Sequence, residues 1–115
     1  MVISTFRLFP SREERRRLLN ILRSVQGPIE AQPQNRTCRI YEEDGFDQAV
    51  LYVEQWASEA HFEQHVRSEV YRRILAAVEF SSKPPEIRFD FVSQSKGMEL
   101  IEALRTPQNE TPQPP

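Results

Sequence analysis

The side chains best suited to chemistry in this 115-residue chain crowd into one stretch, residues 52–71, read YVEQWASEAHFEQHVRSEVY. His65 is the natural proton carrier of the set, because an imidazole changes charge near physiological pH. Trp56 offers a flat apolar wall with an N–H donor at its edge, as a pocket for an aromatic molecule requires. Phe62, Tyr52 and Tyr71 lie within the same stretch, and Arg88 lies further along. These four are the candidate substrate-binding residues, with His65 and Trp56 as the candidate catalytic pair. Each has a plainer role to be weighed beside this one: His65 as a ring at the edge of a packed helix, Trp56 as a core or interface anchor.

Other chemistries find little support. His61 and His65 stand one helical turn apart, a spacing a metal accepts. The zinc motif H-E-x-x-H, however, places Glu directly after the first His; here Phe62 follows and Glu63 comes second, and no third ligand is evident. No metal is expected. Cys38 is the single cysteine, so no internal disulfide exists and a reducing compartment is the expectation. Its setting inside a strand, with no base beside it, suits a small buried hydrophobe better than a nucleophile. Gly27, Gly45 and Gly97 are isolated, so no glycine-rich phosphate loop is formed. A net charge of −2 gives no footprint for nucleic acid. The run Arg15-Arg16-Arg17 is spread around a helix axis and reads as a solvated face. The opening residues, MVISTFRLFP, lack the pattern of a signal peptide. No stretch approaches the roughly 20 apolar residues of a membrane span. A cytoplasmic protein without membrane contact is expected.

Elements to position these residues follow from periodicity. Residues 2–9 form a β-branched apolar strand ending at Pro10. Ser11 and Glu14 can make a capping box for a helix whose buried stripe is Leu18, Leu22 and Val25, with Gly27-Pro28 expected to stop it. Residues 36–43 and 49–56 make a hairpin about the 44–47 turn, where Gly45 supplies positive φ. Ser58 caps a second helical region with apolar positions Phe62, Val66, Val70, Ile74 and Val78, which Arg67-Ser68-Glu69 can divide in two. Residues 87–93 form the last strand, and a short helix over 98–104 follows Gly97. Residues 1–104 form one domain; 105–115 form a polar, proline-rich, flexible tail.

The order β-α-β-β-α-β is the ferredoxin-like arrangement of the α+β class: an antiparallel sheet with helices on one face. Alternation puts Cys38, Ile40, Ile87, Phe89 and Phe91 toward the helices, and Arg39, Tyr41, Arg88, Asp90 and Val92 on the opposite face. The third strand is apolar on both faces, with Leu51 and Val53 on one and Val50, Tyr52 and Trp56, plus Glu54, on the other. A strand of this kind is covered twice. One monomer covers it once, so a homodimer packed sheet to sheet is the expected partner.

Glu54 and Trp56 closing a strand, Phe62 on the next helical turn, His65 three residues later and Ser68 three after that form a pattern that resembles the antibiotic biosynthesis monooxygenase (ABM) domain family, of the dimeric α+β barrel superfamily. The resemblance covers residues 1–93. It implies a homodimer, and a possible activity as a cofactor-independent monooxygenase of small phenol- or quinol-type aromatics, so no cofactor is expected. Other members of the family degrade haem, and many have no known activity. Trp56 and His65 match the family's Trp and His positions. A second family His is replaced by Val70, which weakens a His-based relay. The haem-degrading set is missing: Ile74 and Leu75 stand where its axial His belongs, His65 where its helical Trp belongs, and the first strand lacks its Asn. An enzyme reading requires an enclosed cavity lined by both Trp56 and His65, with His65 reachable from it; a filled core there would sink it. The alternative is a non-catalytic dimeric ligand-binding or stress-related module.

Overall fold

A computed structural model of the chain describes residues 1–45 and 48–107. The proposed tail therefore lies largely outside the described residues, as do Phe46 and Asp47 of the hairpin turn. The elements are β1 (Val2–Leu8), α1 (Arg15–Glu30), β2 (Asn35–Glu42), β3 (Val50–Trp56), α2 (Glu59–Val66), α3 (Glu69–Val78), β4 (Glu86–Phe91) and α4 (Met98–Arg105). The sheet order is β2-β3-β1-β4 with every neighbouring pair antiparallel, the ferredoxin-like topology of an α+β fold.

Alternation sorts β1 cleanly. Val2, Phe6 and Leu8 are buried beneath the helices with the small Ser4 between them, while Ile3, Thr5 and Arg7 share the opposite face. On β3 the buried set is Val50, Tyr52, Glu54 and Trp56. Leu18, Leu22, Val25 and Ile29 of α1 and Ile74 and Ala77 of α3 close the core over them, each without solvent exposure. Burying one such Leu or Ile side chain stabilises the fold by roughly 1.5–3 kcal/mol.

Two helix ends differ from the sequence expectation. The Ser11 hydroxyl does accept the Glu14 N–H, at 3.3 Å, but residues 12–14 only form turns and α1 begins at Arg15. Gly27-Pro28 does not stop α1, which runs through Pro28 to Glu30. Proline in the last turn removes a single backbone bond, and the gain from burying Ile29 completely outweighs that loss. Gly45 has φ of 145°, as its turn requires. Ser58 caps α2, accepting the His61 N–H at 3.3 Å. The break at Arg67-Ser68 divides the second helical region into α2 and α3.

β4 is an edge strand. Ile87, Phe89 and Phe91 sit on the helix-facing side, as alternation requires, yet stay exposed because no helix among the described residues extends fully over this edge. Phe89 meets Phe6 edge-on at 6.2 Å, and Phe62 of α2 lies 5.5 Å from Phe89 and 6.5 Å from Phe91. On the opposite face Arg7 bridges Glu43 at 2.7 Å and Glu86 at 3.1 Å, and its guanidinium holds the Glu43 carboxyl below the ordinary range.

Candidate active site

The site grows from the inward face of β3. Residues 52, 54 and 56 alternate onto one side of the strand, so Tyr52, Glu54 and Trp56 project together under α2. Across the ladder Cys38 of β2 and Ser4 of β1 lie opposite Glu54. Ser58 fixes where α2 starts, and with that phase Phe62 and His65, three residues apart, both turn into the core. His65 therefore descends onto the Glu54 carboxylate.

Glu54 is the centre of the arrangement, although it is only 1% exposed. Its oxygens accept the Tyr52 hydroxyl at 2.5 Å and the Trp56 indole N–H at 2.8 Å, and lie 3.0 Å from His65 Nε2. A buried carboxylate is tolerated only when paired and hydrogen-bonded, and these three donors meet that condition. The Cys38 thiol extends the chain, donating to Tyr52 Oη at 3.2 Å. Burial, reinforced by the neighbouring Glu54 charge, pushes the Tyr52 hydroxyl far up. Burial pushes the Cys38 thiol up to about 12. Tyr71 is pushed up to about 12 as well, by burial first and Glu54 second. All three stay protonated at neutral pH, and Tyr52 and Cys38 serve as donors.

With Glu54 accepting at Nε2, His65 is held in the Nε2–H form, and its lone pair is left on Nδ1. That nitrogen is buried and has no hydrogen-bond partner among the described residues. The ring packs between Trp56, 4.8 Å away and tilted by 31°, and Tyr71, 5.2 Å away and edge-on. The interior between helices and sheet is filled here by aromatic rings. The opening that both Trp56 and His65 do line is a half-open cleft of about 330 Å³, walled also by Gln32, Pro33, His61, Gln64 and Ser68. That volume is at the small end for a ligand site. The opening at Trp56 and His65 is thus a half-open cleft beside a filled core, not the enclosed cavity expected of an enzyme, and the two side chains, 0% and 1% exposed, back its wall.

The structure brings together Trp56, His65, Tyr52 and Tyr71. Phe62 stands one turn away, facing the β4 aromatics. Arg88 is not brought in: it projects from the opposite sheet face, its side chain 75% exposed and paired with Asp90 at 3.0 Å. Its even-numbered position on β4 dictates that side. Sequence reasoning missed Glu54 as a site residue. The available signal was a lone carboxylate on the inward side of an otherwise apolar strand. The ring of His61 contacts Ser58 Oγ at 3.0 Å, and no group of three metal-capable side chains gathers among the described residues.

The profile of the family described as antibiotic biosynthesis monooxygenase matches residues 1–77, two-thirds of the chain. The chain belongs to the ABM family. Solved structures agree in fold. Rv0793 from Mycobacterium tuberculosis superposes with a TM-score of 0.73 at 21% identity, over 84% of this chain and 98% of that one. A conserved protein from Methanosarcina mazei Go1 gives 0.69 at 20% identity, over 78% and 91%. A structure described as antibiotic biosynthesis monooxygenase gives 0.69 at 13%, over 82% and 100%. At these identities the likeness speaks for the fold alone. No protein with a curated description matches the chain. No helix among the described residues is long and apolar enough to cross a membrane.

Proposed function

We propose that this ABM-family domain binds a small phenol- or quinol-type aromatic in the Trp56–His65 cleft and oxygenates it without a cofactor. One observation carries the reading: the buried Glu54–His65 pair, which leaves a partnerless imidazole nitrogen on a residue of the cleft wall. In this reaction the substrate gives a proton to His65 Nδ1, and the resulting anion supplies the electrons that reduce O₂. One oxygen atom enters the ring and the other leaves as water: written for the keto tautomer of the substrate, a ring CH₂ and O₂ become a ring C=O and H₂O. Glu54 fixes the tautomer and stabilises the imidazolium that forms. Trp56 supplies the aromatic wall. Because Nδ1 is buried, the cleft wall must shift by a side-chain movement for the substrate to reach it.

A second reading has its own observation. His65 is 1% exposed and tightly packed between Trp56 and Tyr71, as a purely structural residue would be. On that reading the chain is a non-catalytic ligand-binding or stress-related module. In either case we infer a homodimer formed through the outer sheet face. Ile3, Leu51 and Val53 are only partly covered there and Tyr41 is exposed. A cytoplasmic location fits the one reduced, buried thiol.

Oxygen uptake with a panel of hydroquinones and anthrone-type ring methylenes separates the two readings. The enzyme reading expects uptake with at least one compound, and a fall of roughly 10²–10⁴-fold in His65→Ala. Trp56 is the only tryptophan, so quenching of its fluorescence reports binding directly. Binding without uptake by the wild type would decide for the module.

A further inference from the structure

Among the described residues, two buried side-chain polar atoms have no hydrogen-bond partner, and both belong to neighbours of Trp56. One is His65 Nδ1, whose ring lies 4.8 Å from the indole. The other is Asn35 Oδ1. Asn35 opens β2 directly across the ladder from Trp56, and residues paired in this way project from the same face of a sheet. It therefore stands on the helix-facing side, next to the indole. Gln32 and Pro33, just before it in the chain, belong to the cleft wall. The amide is fixed in place. Asn35 Nδ2 donates to the Thr37 and Gln55 carbonyls at 3.3 and 3.4 Å, which sets its orientation because only the NH₂ can donate. The Asn35 N–H donates to Gln32 O at 3.2 Å, and Gln34 O accepts the Ala57 N–H at 2.8 Å, tying the segment to the end of β3. Gln34 itself holds a φ of 68°, a left-handed conformation uncommon outside glycine. A carbonyl oxygen held buried in this way costs stability until something supplies a donor.

We infer that Asn35 is a ligand-binding residue: its Oδ1 is the second acceptor, beside His65 Nδ1, for a molecule whose ring lies against Trp56. Both atoms accept and neither donates. The ligand that satisfies them therefore carries two donors, O–H or N–H groups on one ring. A quinone, which offers acceptors alone, satisfies neither, so the pair selects a reduced ligand over an oxidised one. The described residues of the cleft wall include no carboxylate, guanidinium or ammonium group, which suits an uncharged molecule. The side-chain movement that uncovers Nδ1 has to uncover Oδ1 as well. The inference rests on the cleft reading above and serves either form of it, since a ligand-binding module would use the same two acceptors as an oxygenase.

The test titrates the full chain, read by Trp56 fluorescence, with the benzenediol isomers and with the fluorophenols and difluorobenzenes in which fluorine replaces one or both hydroxyls. Fluorine removes the donor with little change of shape. For at least one isomer the affinity should fall roughly tenfold with each hydroxyl replaced. In Asn35→Ala one of the two steps should vanish and the other remain, a ratio that does not depend on how much of the protein is folded. A second measurement needs no variant: the side-chain amide NMR signals of Asn35 in the wild type should shift with the diol and hold still with the difluorobenzene. Affinities indifferent to fluorine for every isomer, both steps intact in Asn35→Ala, or an Asn35 amide unmoved by the diol would each overturn the inference while leaving the cleft reading in place. No quenching by any of the compounds would refute both.

Discussion

Replacing Glu54 by Gln changes almost no volume and tests the centre of the site. The carboxylate accepts from Tyr52, Trp56 and His65 at once. A glutamine offers one acceptor oxygen and one donor group in the same space. Trp56 Nε1 only donates, so it claims the oxygen. The NH₂ then faces Tyr52 and His65 Nε2. Tyr52 can turn its hydroxyl to accept. His65 can accept only by moving its proton from Nε2 to Nδ1, and no group among the described residues is placed to accept from Nδ1. One orphaned buried donor costs about 1–3 kcal/mol. A loss of that size lowers Tm by roughly 5–20 °C in a domain near 100 residues. Thermal denaturation at pH 7 measures the loss, and nitrogen NMR of the imidazole shows which nitrogen holds the proton. The wild type should carry it on Nε2 and Glu54→Gln on Nδ1. Any oxygenase activity should fall together with the tautomer change, because the base has moved inward. An unchanged Tm with the proton still on Nε2 would refute this account of the network.

Two further outcomes follow from the same structure. Tyr52 and Cys38 are both held above their ordinary values by burial, so in the unfolded chain they lose protons at lower pH than in the folded one. Their contribution is therefore complete below about pH 8–9, the ordinary thiol range, and declines as pH rises toward 12. Urea midpoints should fall steadily between pH 8.5 and 10.5, roughly the ordinary titration range of thiols and phenols, and a flat profile would contradict the burial argument; native Cys38 should also resist thiol reagents until the chain unfolds. Gly27 lies in helical conformation inside α1, with open space where a Cβ would project. Gly27→Ala should stabilise by about 0.5–1 kcal/mol, read as a higher urea midpoint at unchanged m-value, and a loss of stability would show that the space is not open.

How much was legible in the sequence depended on whether a local pattern or a long-range contact decided the outcome. The strand and helix order could be read because alternation and four-residue spacing are local. The break at Ser68 could be read for the same reason. The run of α1 through Pro28 could not, since the burial of Ile29 is settled by the sheet beneath it. His65 and Trp56 stood out by residue type. Glu54 did not, because a carboxylate becomes notable only when the tyrosine, indole and imidazole that satisfy it are placed around it. Arg88 illustrates the reverse case: its residue type suggested a ligand donor, while its parity on β4 turns it away from the cleft.

The buried carboxylate bears also on how β3 finds its place in the sheet. Leu51 and Val53 on the outer face are nearly as apolar as Val50 and Tyr52 on the inner one, so hydrophobicity alone resists a one-residue slip only weakly. Such a slip would swing Glu54 outward and bring Gln55 in its place. His65 would then face a neutral amide in place of its carboxylate, and Tyr52 and Trp56 would leave the core together. Polar satisfaction thus supplies the register that apolar patterning leaves loose. A chain that folds correctly has, by the same contacts, already assembled its candidate proton relay.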